Sequence, residues 1–141
     1  MGSSELDNLV RIGKLKVEPT VQRELEGLMA SAHARLADAA SDRLSFDSRF
    51  DLAYNAAHAL GLFALRRAGY RSDNRYLVFQ TLPHTLGVPA EVWRVLAKAH
   101  ERRNLAEYEG HLERDDRLLE ELIGAATRLQ ALVRRLAPLD T

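Results

Sequence analysis

The chain has 141 residues and no cysteine, so it has room for one compact domain and excludes disulfides, thiolate metal sites and cysteine nucleophiles together. Its 20 basic and 20 acidic side chains cancel, so no global field holds a polyanion, and a nucleic-acid contact has to come from a local cluster. At 46% hydrophobic and 28% charged the composition is that of a folding chain, with no apolar run long enough to span a membrane and no signal-peptide order at the N-terminus. A cytoplasmic, reducing environment is the expectation.

Leu6, Leu9, Val10 and Leu15 predict a short opening helix, followed by an extended Lys16-Val17-Glu18 lead into Pro19. From Val21 the apolar positions Leu25, Leu28, Ala32, Leu36 and Ala39 recur at steps of three and four, the helical period, with Thr20 placed to cap the start. A second stripe runs through Phe46, Phe50, Ala53, Ala57, Leu60, Ala64 and Ala68 to Gly69, with Asp47 and Asp51 early and Arg66 and Arg67 late, as the helix dipole prefers. Residues 73–87 suit one short helix before Pro83, although Tyr76-Leu77-Val78-Phe79 alone also suits a strand. Pro89 opens a third long helix that runs to about Tyr108, and Gly110 stops it. Leu112, Leu119, Leu122, Ala126, Leu129, Val133 and Leu136 predict a fourth, roughly 35–40 Å long, ended by Pro138.

Four amphipathic helices with short turns point to an all-α, up-and-down four-helix bundle with one or two additional short helices. The expected division is a lead-in over 1–17, the bundle over 18–138 and a tail over 139–141.

One residue breaks the third helix's apolar face, which reads Val92, Leu96, Ala99, Arg103, Ala106. By periodicity Arg103 points inward and needs either a carboxylate, with Glu107 at i+4 and Asp51 on the second helix as candidates, or an anionic ligand. His33, His58, His84 and His100 show no metal-ligand spacing with a carboxylate, so no metal and no cofactor is expected. His58 and His100 lie among apolar neighbours and read as partly buried, satisfied histidines. Arg66, Arg67 and Arg71 either complement a helix end or form a basic cluster that could converge with Arg102 and Arg103.

Arg103-Asn104-Leu105-Ala106-Glu107-Tyr108 resembles the R-N-x-x-x-H motif of the HEPN superfamily. The segments Asp51 to Leu60, Ala64 to Arg71 and Leu9 to Lys16 resemble one bacterial branch of it, so the likeness spans most of the chain. The resemblance implies a homodimer whose two motifs meet in a cleft and cut RNA without a metal, the RNA's own 2′-hydroxyl being the nucleophile. It assigns Arg103, Asn104 and Tyr108 as catalytic, with Arg102, Glu107, Asp51 and Tyr54 binding RNA or lining the cleft. Tyr108 stands where the family has histidine, and an unperturbed phenol, with a pKa of about 10, is a poor base at neutral pH. His111, eight positions after Arg103 and beyond Gly110, lies outside the motif's spacing. The family implies membership of a toxin–antitoxin or defence module, with a nucleotidyltransferase-like antitoxin as partner and Tyr108 as a modification site. The alternative is a catalytically silent helical module that binds a partner protein or nucleic acid.

Overall fold

The computed structural model describes residues 4–136. The chain is predominantly helical: α1 (Ser4–Arg11), α2 (Gln22–Ala39), α3 (Phe46–Arg67), α4 (Arg75–Gln80), α5 (Leu82–Thr85), α6 (Ala90–Glu109) and α7 (Asp116–Arg134). Between them β1 (Lys16–Val17) and β2 (Tyr70–Arg71) pair antiparallel, Lys16 opposite Arg71 and Val17 opposite Tyr70. The expected Pro138 stop and the 139–141 tail lie outside the described residues. Among the described residues no helix is long and apolar enough to cross a membrane.

The central element is α3, which packs along α2 and α7 and touches α4, α5 and α6. Its alanines explain this centrality. Ala53, Ala56, Ala57, Ala59 and Ala64 are all buried, and their small side chains let neighbouring helices approach from several directions around Phe50, Tyr54 and Leu60. Gly61 carries the same logic furthest, since a Cβ there would sit 3.0 Å from Cγ1 of buried Val78 on α4. Leu118, Leu119, Leu122, Ala126, Leu129 and Val133 present the buried stripe of α7 to the same core. A smaller cluster of Leu6, Leu15, Leu65, Tyr70, Leu77 and Val78 fastens α1 and the β-pair to the C-terminal end of α3.

The helix ends follow their local signals in most places. Ser45 caps α3 by accepting from the Ser48 N–H at 3.1 Å, and Gly69, at φ 93°, turns the chain out of it. Gly110, at φ 75°, closes α6. Three expectations are corrected. Thr20 does not cap α2; its hydroxyl donates to the carbonyl of Arg66 at 2.8 Å, closing the far end of α3 instead. The helix expected before Pro83 is two, α4 and α5, because Pro83 is tolerated in the first turn of α5. The last helix starts at Asp116 rather than Leu112, with Asp115 accepting from the Leu118 N–H at 2.9 Å, so its 19 residues span about 28 Å.

Candidate functional site

Arg103 lies where α6 leaves the core. The turns before it bury Val92, Leu96 and Ala99, whereas the Arg103 side chain is 28% exposed, on the rim. Its guanidinium carbon stands 4.8 Å above the centre of the Tyr54 ring, a cation–π contact. Its Nε lies 3.7 Å from Asp51 Oδ1 and its Nη1 donates to Glu107 Oε1 at 3.1 Å. Both carboxylates suggested by spacing are therefore beside it, and both are exposed.

An open groove of about 490 Å³ runs past this arginine. Its walls are Asp47, Phe50 and Asp51 of α3, Arg103, Ala106 and Glu107 of α6, and the turn Gly110-His111-Leu112. The turn is what spacing along a helix misses. With Gly110 left-handed, the N–H groups of Gly110 and His111 both donate to the Ala106 carbonyl, at 2.7 and 3.2 Å, and the chain doubles back. His111, outside the motif's spacing in sequence, thereby joins Arg103 on one groove. The readable signal was the glycine at the helix end.

From the ring that supports Arg103 a polar chain leads to the other flank of α6. The Tyr54 hydroxyl, fully buried, meets His100 Nδ1 at 2.9 Å, and His100 Nε2 meets the Asn104 side-chain amide at 3.0 Å. Neutral imidazole donates through one nitrogen and accepts through the other, so the tautomer fixes the direction of the whole chain. Burial, then the nearby cations Arg103 and Arg75, hold the His100 pKa below its ordinary value, which favours the neutral ring. Burial likewise raises the pKa of Tyr54, opposed by Arg75 and Arg103. Arg75, which sequence reasoning missed, has its guanidinium 5.7 Å from the Tyr54 ring centre and donates to Asn55 Oδ1 at 2.8 Å. One turn further along α3, His58 is pushed down from 6.5 to about 4, by burial first and then by Arg75, Arg103 and Arg35.

The residues expected to act together are thus divided. Arg103, Asp51 and Glu107 share the groove. Tyr54 lies beneath it, supporting Arg103 without reaching solvent. Asn104 faces the other side of α6, towards His100 and Tyr76. Arg102 reaches across to Asp115 at the start of α7, with 3.5 Å between Nη1 and Oδ2. Tyr108 is 90% exposed and is not among the residues lining the groove.

The basic cluster at the other end of α3 has a different use. Arg66 is fully buried and all five of its N–H groups face acceptors. Nε donates to Glu24 at 2.8 Å, Nη1 to the carbonyls of Glu18 and Tyr70 at 3.0 and 3.1 Å, and Nη2 to that of Pro19 at 2.6 Å, with the Glu18 carboxylate 3.5 Å away. Arg71 pairs with Glu18 and with Glu24. The hydrogen bond from Arg66 holds the Glu24 pKa below its ordinary value. Arg66 therefore belongs to the fold, and it does not converge with Arg103. Asp51 and Arg66 are 15 positions apart on α3, about 22 Å along the axis.

Comparison with family models, with curated proteins and with solved structures gave no match, so the site is read from the geometry of this chain. Among the described residues no three His, Asp or Glu side chains are grouped to hold a metal ion.

Proposed function

We propose that this chain is a HEPN-like component of a bacterial toxin–antitoxin or defence module, a cytoplasmic homodimer that binds RNA and cleaves it without a metal ion. The observation that carries the reading is the meeting of Arg103 and His111 on one open groove. The four long helices α2, α3, α6 and α7, read as an up-and-down bundle of HEPN type, support it, as does the placement of Arg103 on the third of them.

Cleavage of this kind asks for a cation on the phosphate and for proton exchange at the ribose oxygens. The 2′-oxygen attacks phosphorus as its proton passes to an imidazole; the bond to the 5′-oxygen breaks, and that oxygen takes up a proton. The products are a 2′,3′-cyclic phosphate and a 5′-hydroxyl. In this reading Arg103 faces the non-bridging oxygens and His111 supplies the imidazole that position 108 lacks, a division of roles supported by their both lining the groove. Tyr108 then has no part in proton transfer. Its exposed hydroxyl is accessible to the nucleotidyltransferase-like antitoxin that the resemblance implies.

A silent interaction module is the second reading, favoured by one specific feature. Asp47, Asp51 and Glu107 outnumber Arg103 on the groove, a balance that suits a basic protein segment better than a phosphate. The experiment that separates the two is incubation of mixed RNA with the purified chain in EDTA, beside Arg103→Ala and His111→Ala. Cleavage to 2′,3′-cyclic phosphate ends, lost in both variants, is the expected result. Intact RNA throughout the range from about pH 6 to 9 sinks the nuclease reading.

A further inference from the structure

The opposite flank of α6 carries a second opening of different character. Trp93, Ala97, His100 and Asn104 recur at steps of four, three and four, which sets them in one row along the helix facing α4. Tyr76 of α4 faces this row, its ring centre 6.0 Å from that of Trp93 at 71° and 5.1 Å from that of His100 at 36°. Ala97, between the two larger residues of the row, fills little of the space. The result is a cleft of about 610 Å³, within the roughly 300–1,000 Å³ of small-molecule sites.

Packing alone does not account for these rings. The core aromatics Phe50 and Phe79 are sealed, while Tyr76, Trp93 and His100 are half-buried and line an open cleft. One position further round the helix, Arg94, Lys98 and Glu101 make an exposed outer row with two cations against one anion. Side-chain amides stand at the ends. Asn74 commits its Oδ1 to the Leu77 N–H at 3.0 Å, which leaves its NH2 group as a donor, and Asn104 is exposed beyond its contact with His100. Aromatic faces, amides and a net positive rim together match a planar heteroaromatic base that carries a phosphate. The acidic groove around Arg103 offers no such rim.

We propose that the cleft between α4 and α6 is a nucleotide subsite, taking one unstacked base against Tyr76 and Trp93 with its phosphate at Arg94 and Lys98. For the source of that base, an RNA strand crossing α6, the proposal rests on the RNA-binding reading above. Arg103 and Asn104 are neighbours that open to the two sides of the helix, so a strand passing over them enters groove and cleft together.

Trp93 is the only tryptophan of the chain, so its emission reports on the cleft alone. The full chain is titrated with a short single-stranded RNA blocked against cleavage by 2′-O-methylation, with nucleoside 5′-monophosphates, and with ribose 5-phosphate. Saturable quenching is expected with the RNA and, at higher concentration, with the monophosphates, and none with the baseless sugar phosphate. Tyr76→Ala abolishes the quench. The exposed Arg94→Glu and Lys98→Glu, which leave the packing untouched, each weaken RNA binding about tenfold. RNA that shifts the protein on a gel with Trp93 emission unchanged overturns the cleft and leaves the Arg103 groove standing. Quenching by monophosphates without RNA binding upholds the subsite and overturns the RNA reading. Equal quenching by ribose 5-phosphate overturns a site for a base.

Discussion

Two arginines, Arg66 at the C-terminal end of α3 and Arg103 of α6 beside Asp51 near the other end, show how the same side chain serves opposite purposes. Arg66 is 0% exposed and meets an acceptor at every N–H, four of them backbone carbonyls or carboxylates at hydrogen-bond distance from α2, its lead-in and β2. Arg103 is 28% exposed, rests on the buried face of Tyr54 and shares its charge with Asp51 and Glu107, both on the surface. Three of the first set are backbone carbonyls, of Glu18, Pro19 and Tyr70, held in place by the chain and not exchangeable for a ligand. The second consists of flexible carboxylates that solvent or a phosphate can replace. What decides whether an arginine belongs to the fold or to a site is the number of fixed acceptors around it, not its charge or its place in a helical stripe.

The sharpest way to break this contrast is Arg66→Ala. It leaves buried carbonyls and Glu24 without their donor, and the expected loss is about 3–5 kcal/mol in urea unfolding. Arg66→Lys keeps the charge but not the planar fork of five donors, so it remains well below the parent. A loss under about 1 kcal/mol in either variant removes the claim that this cluster holds the end of α3 to α2.

The next effect lies in the middle of α3, at His58. Its folded pKa of about 4 lies below its unfolded value of 6.5, so between those values the unfolded chain binds more protons and stability falls as pH falls. The full window corresponds to at most about 3.5 kcal/mol. In His58→Gln, stability measured by urea from about pH 7 down to 4.5 declines less steeply than in the parent. Glu24, whose lowered pKa also weakens the fold in acid, contributes equally to both proteins and drops out of the difference.

Local signals made the long helices legible, because apolar stripes at steps of three and four, Pro89 before α6, and Gly69 and Gly110 after α3 and α6 act through the nearest few residues. Thr20 and Arg66 were misleading for the opposite reason. Each reads as a local cap or dipole partner, yet apart from the Tyr70 carbonyl beside Arg66 their partners lie more than 40 positions away, around the pairing of β1 with β2, two residues long and invisible as a pattern. The candidate site divides along the same line. Arg103 with Glu107 is an i, i+4 relation that can be read directly, whereas His111 needed the left-handed turn at Gly110. The Arg75, Tyr54 and His100 contacts needed α4 to lie against both α3 and α6.

Arg103→Ala is expected to cost less than about 1 kcal/mol of stability, since its ion pairs are to exposed carboxylates, while RNA binding and cleavage are lost. An unfolding cost near that of Arg66→Ala, with RNA binding unchanged, would make both arginines structural and erase the contrast.

Tyr108 supplies the smallest expected effect and the finest discrimination. On the proposed nuclease reading, a phenol that stands in for the histidine of the HEPN-like motif makes Tyr108→Phe lose cleavage; with His111 in that role, that variant cleaves at the parent rate and His111→Ala does not. The geometry favours the second outcome, because Tyr108 is 90% exposed and away from the groove that Arg103 and His111 line together. Stability should stay within about 0.5 kcal/mol, as for exposed substitutions generally. A large loss of cleavage in Tyr108→Phe would mean that a second subunit folds this surface into the site, so that residues one protomer leaves in solvent become part of a composite cleft.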